Sequence, residues 1–147
     1  KKLDIELMKE ASEYFIGEHD FTSFASSKSK KKSNVRTIYS INITETNGLV
    51  EIYFEGNGFL YNMVRIITGT LVQVGMGKFT PEDIKKMIEA EDRCTAGQTA
   101  PPMGLTLVKI EDVKSGDIYI CDSEGEYSVA GQRYEVCKTY SFGFEVD

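Results

Sequence analysis

The sequence predicts an α+β fold in which helices pack on one face of an antiparallel sheet. A period-two alternation on both sides of an Asn-Gly pair, over residues 35–55, is typical of a β-hairpin. Apolar residues spaced three and four apart over residues 60–74 are typical of a helix that buries one face. The first 110 residues read as helix, strand, strand, helix, helix, strand, which is the order of a helical layer on a sheet.

The N-terminal segment predicts a helix followed by a polar loop. Leu3, Leu7 and Ala11 lie at helical spacing, and Gly17 is expected to stop this helix. Residues 18–34 are polar and rich in Ser and Lys, and we expect a loop there. Ordering such a loop costs backbone entropy that a partner must offset.

A strand pair is predicted next. Asn47-Gly48 is the strongest short hairpin signal because both residues accept positive φ. Leu49 to Glu55 returns as the second strand. Ile38 breaks the alternation of the first strand, so its other face is expected to be partly covered. The face predicted to be buried consists of Val35, Thr37, Tyr39, Ile41 and Ile43.

Two helices and a strand complete the first 110 residues. Gly75 and Gly77 are expected to close the helix that covers residues 60–74. Thr80-Pro81 predicts the start of the next helix, with Thr80 as N-cap and proline at the first helical position. A loop is predicted over residues 95–104, and residues 104–110 predict a strand.

Arg65 lies within the apolar run of the predicted central helix. A guanidinium stays charged and is rarely buried without a carboxylate or phosphate partner. The residues three and four positions away are Tyr61, Asn62, Thr68 and Gly69, none of which is an obvious partner. We therefore expect Arg65 to point at a group brought by another part of the structure, another chain or a ligand. The alternative is a partly exposed arginine whose stem lies along the core while its head reaches water.

Composition bounds the class of protein. The 147 residues carry a net charge of −6, and residues 111–147 account for all of it. No apolar run approaches the length of a membrane span. One histidine and three cysteines without metal-ligand spacing make a metal site an unfavoured interpretation, and they fit a reducing, cytoplasmic compartment. The chain does not begin with Met, and we expect it to be a piece of a longer protein.

The chain divides in two by charge and pattern. Residues 1–110 are expected to form the main domain, and residues 111–147 a small acidic, β-rich extension of unknown role. Its candidate strands are residues 118–120, 127–129 and 134–136.

Several segments together resemble the C-terminal half of the bacterial tRNA pseudouridine synthase A family. The resemblance covers about residues 3–110, in the order and spacing of the family. Its pieces are His19-Asp20-Phe21-Thr22-Ser23-Phe24, the hairpin at 35–55, Gly58-Phe59-Leu60-Tyr61-Asn62-Met63-Val64-Arg65 with Gly69, and Thr99-Ala100-Pro101-Pro102 with Gly104-Leu105-Thr106-Leu107.

The resemblance implies an isomerase that converts uridines of the tRNA anticodon stem-loop to pseudouridine. An aspartate acts as nucleophile or base, and a tyrosine stacks on the base. No metal or organic cofactor is implied. In such enzymes an arginine of a sequence motif forms an ion pair with the catalytic aspartate. The resemblance implies that Arg65 is that arginine here. The resemblance also implies tRNA as partner and a homodimer for the full-length protein.

The sequence departs from the family in lacking the catalytic aspartate. In the family this residue lies in an Arg-Thr-Asp-Ala-Gly-type loop of the N-terminal half, and no such motif occurs here. The segment of the stacking tyrosine is also missing. We therefore predict that this chain alone is inactive, because it carries half of an active site.

Further site residues follow from the resemblance, each with a structural alternative. Asn62 and Leu105 are assigned to the uridine pocket, although core packing explains Leu105 equally well. His19 either contacts RNA or bonds the backbone of its own loop. For Phe21 and Phe24, anchoring of the loop to the core is expected rather than stacking on bases. Phosphate contacts with RNA, rather than simple solvation, are expected for Lys28, Lys30, Lys31, Lys32 and Arg36.

Three functions remain open at this point. The first is the C-terminal domain of a tRNA pseudouridine synthase. The second is a module of the same fold that binds structured RNA without catalysis. The third is a protein-interaction domain whose acidic tail engages a basic partner or shields the basic loop.

Overall fold

The computed structural model describes residues 2–26, 33–111 and 133–141, and these residues form an antiparallel sheet covered by helices. The strands are β1 (Gly17–Asp20), β2 (Val35–Thr46), β3 (Leu49–Gly56), β4 (Leu105–Glu111) and β5 (Arg133–Ser141). The helices are α1 (Ile5–Ser12), α2 (Met63–Gly75) and α3 (Pro81–Ala90). The predicted α+β class is confirmed.

The sheet of the described residues has the strand order β1-β2-β3-β5-β4, with antiparallel pairing throughout. The segment predicted as a strand at residues 134–136 lies in β5, between β3 and β4. One part of the acidic extension therefore belongs to the main sheet. The candidate strands at 118–120 and 127–129 lie outside the described residues, and the division of the chain at residue 110 stays a prediction.

A β-bulge in β2 corrects the predicted buried face of that strand. The register shifts between Ile38 and Ser40, where one extra residue on β2 opposes β3. Ile38, Ile41 and Ile43 are buried, whereas Val35 and Tyr39 are 39% and 44% exposed. The predicted alternation assumes a regular strand. Because the bulge adds one residue, the residues of β2 that precede it face the opposite side from the one that the alternation predicts.

The segment predicted as a polar loop contains a short strand and a helical turn. β1 pairs with the start of β2, and residues 22–24 form a 3₁₀ turn. Phe21 and Phe24 are completely buried, and the Phe24 ring contacts Phe15 edge to face with centroids 4.9 Å apart. Their predicted role as anchors of this segment to the core is confirmed.

The helices begin and end where the local chemistry favours it. α2 is almost entirely buried and is followed by Gly77 at φ +83°, as the glycine pattern predicted. α3 starts after Thr80 with a capping box, in which the Thr80 amide donates to Asp83 Oδ2 at 2.8 Å. Within the described ranges, no helix combines the length and apolar character that a membrane crossing requires.

Candidate functional site

The candidate site is built at the N-terminus of α2. Residues 61–62 form a tight turn, and Asn62 precedes the helix in the left-handed conformation, at φ +59°. Asparagine tolerates this conformation better than most residues. Its side chain makes no capping bond to the helix, although asparagine is among the best N-caps. The Asn62 amide is therefore available for another partner.

Arg65 is half-buried and held by two neutral acceptors. Its Nε donates to the carbonyl oxygen of Ala100 at 2.9 Å, and its Nη1 donates to Asn62 Oδ1 at 3.0 Å. Asn62 lies three residues before Arg65, so one neighbour at helical spacing does bind the guanidinium, as a neutral acceptor. Two of the five guanidinium N–H groups are used, which leaves two on Nη2 and one on Nη1.

The Ala100 carbonyl is fixed by the loop that carries it. The Ala100 amide donates back to the carbonyl oxygen of Arg65 at 2.9 Å, so the two residues are joined by a reciprocal pair of bonds. The Gly97 amide donates to Thr70 Oγ1 at 3.0 Å, and the Gln98 amide donates to Gln73 Oε1 at 2.8 Å. Residues 97–100 are therefore bound along the side of α2.

This close approach requires a glycine on each side. A Cβ built on Gly69 would overlap the Gln98 carbonyl oxygen and lie 2.8 Å from its carbon. A Cβ on Gly97 would lie 2.8 Å from the Cα of Thr70. Real Cβ atoms are not found at such distances, so no larger residue fits without movement of the loop or the helix.

Arg93 anchors the start of the same loop. Its Nη2 donates to Thr99 Oγ1 at 3.1 Å. Burial lowers the pKa of Arg93 from its ordinary value, and the neighbouring Cys94 raises it in part. The guanidinium stays protonated at neutral pH, and it orders the residues that lead to Ala100.

A groove of about 300 Å³ lies between α2 and the loop. Part of its wall is formed by residues of the contact that orients Arg65, among them Gly69 and Ala100. Its walls combine apolar side chains with amides, a hydroxyl and an ammonium group. They are Gly69, Val72, Gln73, Met76, Lys78, Gln98, Thr99, Ala100 and Pro101.

Among the described residues, no carboxylate oxygen lies within 4.0 Å of the Arg65 guanidinium. The four described aspartates are all engaged locally, each by a main-chain amide within three residues of its own position. They are Asp4, Asp20, Asp83 and Asp92. Arg65 is therefore oriented by this part of the chain without being neutralised by it.

His19 and Arg36 are brought together by the pairing of β1 with β2, where they are register partners. His19 Nε2 donates to the Ile16 carbonyl at 2.9 Å, which is the local backbone bond that sequence reasoning had left open. Arg36 Nη1 donates to the carbonyls of Ser33 and Val35. A contact of either residue with RNA stays a prediction.

The remaining predicted site residues do not join Arg65. Leu105 is partly buried and packs against the hydrophobic core. Lys28, Lys30, Lys31 and Lys32 lie outside the described residues. In the part of the chain that the structure describes, no group of His, Cys, Asp and Glu side chains is arranged to hold a metal ion.

Sequence reasoning singled out Arg65 as a candidate but missed the groups that orient it. One acceptor is a backbone carbonyl 35 residues away, and every residue carries such a group. The available signal was Gly69, because a glycine inside a buried helix weakens the helix and often marks a close approach of another backbone.

Comparison with known proteins agrees with the resemblance found in the sequence. A family model described as tRNA pseudouridine synthase matches residues 11–111. A tRNA pseudouridine synthase A from Clostridium acetobutylicum is 53% identical over 109 residues, which cover 74% of this chain and 45% of that protein. The corresponding protein of Bacillus licheniformis is 52% identical over 108 residues, covering 74% of this chain and 44% of the relative.

The relative from Caldicellulosiruptor bescii is similar to the same degree, with 50% identity over 109 residues. The chain thus spans somewhat less than half the length of the curated relatives it matches. The matched region contains the whole of the Arg65 site, from Asn62 through Ala100. By this match over most of its length, the chain belongs to the tRNA pseudouridine synthase family.

Proposed function

We propose that this chain is the C-terminal part of a tRNA pseudouridine synthase that acts on uridines of the anticodon stem-loop, and that it supplies Arg65 to the reaction centre. The observation that carries the proposal is an oriented guanidinium with three N–H donors left over and no described carboxylate within 4.0 Å. The anion comes from outside the described residues, as the catalytic aspartate of the missing half.

In the complete enzyme, Arg65 holds that aspartate ionised and fixed in direction. An ion pair in a partly buried cleft favours the charged carboxylate, and a guanidinium binds it through paired N–H groups. The carboxylate then attacks the sugar or removes a proton from it. The bond from ribose to N1 breaks, the base turns, and C5 joins the sugar, displacing the carboxylate where it has bonded to the sugar. C5 then loses its proton and N1 gains one, so the product is an isomer of the substrate. No metal or organic cofactor takes part.

On this proposal the chain alone is inactive, because its sequence contains no Arg-Thr-Asp motif. The test uses a joined enzyme, in which this chain follows the N-terminal half of the Clostridium acetobutylicum relative. Pseudouridine formation in a tRNA transcript is measured for the chain and for the joined enzyme. We expect conversion by the joined enzyme alone. Conversion by the chain, or none by the joined enzyme, contradicts the proposal.

Asn62 and Leu105 face the uridine in this account. Asn62 Oδ1 is used by Arg65, whereas its Nδ2 has no hydrogen-bond partner among the described residues and can donate to a base carbonyl. Leu105 is only partly buried, so part of its side chain is available for contact with the base.

The basic cluster formed by residues 28–36, with His19 on the neighbouring strand, contacts tRNA phosphates. The support is charge: the cluster contains five cations and no acid, and Arg36 lies opposite His19 across β1 and β2. Filter binding of this chain to tRNA at two salt concentrations tests it. Affinity that falls steeply with salt is expected, and absence of salt-dependent binding favours a protein-interaction domain.

The proposal has three further parts. The enzyme is cytoplasmic, the full-length protein forms a homodimer, and residues 111–147 form an acidic extension. Sedimentation of the joined enzyme tests the dimer directly. If the joined enzyme binds tRNA but forms no pseudouridine, the chain is an RNA-binding module that has kept the fold without the reaction.

A further inference from the structure

We propose that Asn62 is a positioning residue that fixes the direction in which Arg65 presents its free N–H groups. The inference rests on the proposed function, because the direction matters only if a carboxylate approaches Arg65. It goes beyond that function by assigning the geometry of the ion pair to a neutral side chain and to the Ala100 carbonyl.

The conformation of Asn62 is specialised for this bond. The residue lies at the N-cap of α2 in the left-handed region, yet its side chain does not cap the helix. Its Oδ1 accepts from Arg65 Nη1 at 3.0 Å instead. Because a guanidinium has donors and no acceptor, the oxygen and not the nitrogen of the amide must face it. This hydrogen bond therefore fixes the orientation of both side chains, the Asn62 amide and the Arg65 guanidinium.

The two acceptors restrict the direction from which a carboxylate can bind. The Ala100 carbonyl occupies Nε, and Asn62 occupies one N–H of Nη1. The donors that remain are one N–H of Nη1 and both N–H groups of Nη2. A carboxylate therefore binds through Nη1 and Nη2, and a side-on approach that uses Nε is blocked.

Preorganisation is the physical benefit. A free arginine side chain loses rotamer entropy when it forms an ion pair, and here much of that loss occurs during folding. Neutral acceptors achieve it without cancelling the charge that the carboxylate requires. An acidic residue at position 62 would orient the guanidinium equally well and would compete with the incoming anion.

The first test measures the side chain itself in this chain by ¹⁵N nuclear magnetic resonance. In Asn62→Gly the left-handed backbone is retained without strain, while the acceptor is removed. We expect hydrogen exchange at the Nη groups of Arg65 to be about tenfold faster in this variant, with Nε still protected by Ala100. Equal Nη exchange in the two proteins overturns the inference. Arg65→Lys identifies the signals by removing them.

The second test measures turnover in the joined enzyme. Asn62→Gly is expected to lower kcat about tenfold with KM within twofold, and Asn62→Asp to lower kcat further by neutralising Arg65. Asn62→Gly should lower kcat clearly less when Arg65 is already Ala, and the remainder is the contact of Asn62 Nδ2 with the base. A full additional loss in that background shows that Asn62 acts on the substrate, and overturns the positioning role.

A matched control is available in the hairpin turn. Asn47 is also left-handed, at φ +51°, but is exposed and lies in the β2–β3 turn. Asn47→Gly makes the same chemical change in the same backbone conformation and should leave Nη exchange and kcat unchanged. If the parent joined enzyme forms no pseudouridine, the proposed function fails, and the exchange measurement still decides whether Asn62 orients Arg65.

Discussion

Replacement of Gly69 by alanine tests whether the close contact of residues 97–100 with α2 holds Arg65 in place. The new methyl would overlap the Gln98 carbonyl oxygen and lie 2.8 Å from its carbon and 3.1 Å from the Ala100 amide nitrogen. The atoms it meets are backbone atoms, which cannot rotate away as the end of a side chain can. The loop must therefore move off the helix by about 1 Å or more, as overpacked contacts do.

The energetic cost follows from the bonds that hold the loop. Four hydrogen bonds join residues 97–100 to α2, two of them between Ala100 and Arg65. Each is worth about 0.5–1.5 kcal/mol net. Alanine recovers up to about 1 kcal/mol of helix propensity relative to glycine. We expect Gly69→Ala to lower the free energy of unfolding by about 1–3 kcal/mol, and to remove the Ala100 carbonyl from Arg65.

The assay is urea denaturation of the chain, together with hydrogen exchange of the Ala100 amide. Gly75→Ala is the matched control in the same helix, because its methyl would meet side-chain atoms of Met8, at 2.8 Å and 3.0 Å, rather than atoms of the loop. It is expected to cost up to about 1–3 kcal/mol by overpacking and to leave the Ala100 amide protected. A Gly69→Ala chain with unchanged stability and a protected Ala100 amide would refute the reasoning.

Three further predictions concern the fold and the RNA surface. Ser23→Ala should lower the free energy of unfolding by about 1–3 kcal/mol in urea titration, because the buried hydroxyl donates to the Met87 carbonyl and accepts from the Asp92 amide. Asp83→Ala should cost about 1 kcal/mol through loss of the capping box, with tRNA affinity unchanged in filter binding; an affinity loss would speak against a purely structural role. Replacing the basic loop residues with serine should weaken tRNA binding and flatten its salt dependence, and an unchanged salt slope would contradict the phosphate contacts. The residues replaced together are Lys28, Lys30, Lys31 and Lys32.

The hairpin shows both the reach and the limit of reasoning from sequence. Asn47-Gly48 predicts the turn because positive φ is a local property, and both residues adopt it. The bulge beside Tyr39 was not predictable in this way, because it is a property of the pairing between β2 and β3. The alternating pattern continues through it, so the buried face was assigned correctly on one side only.

The segment Gly17–Asp20 illustrates a second limit. It has no β-branched or strongly apolar run, and its strand conformation comes from pairing with the first residues of β2. The two phenylalanines after it carried the useful signal, since their apolar area predicts burial against the core.

The Arg65 site was half predictable. The sequence indicates that a guanidinium in an apolar helix needs a partner, and that no acidic residue lies one turn away. It does not indicate that the amide of Asn62 and the carbonyl of Ala100 hold the group, because both bonds depend on the left-handed turn and the docked loop. Tertiary structure decides the direction of a side chain whose chemistry the sequence specifies.

The most direct test of the central claim is the separation of turnover from tRNA affinity in Arg65→Ala, measured in the joined enzyme. If Arg65 holds the catalytic carboxylate, removing it leaves that anion unpaired, and such losses amount to about 3–5 kcal/mol. The account predicts a fall in kcat of at least about a hundredfold, with the Kd for tRNA within about threefold. Equal losses of turnover and affinity would contradict it and identify Arg65 as an RNA-binding residue.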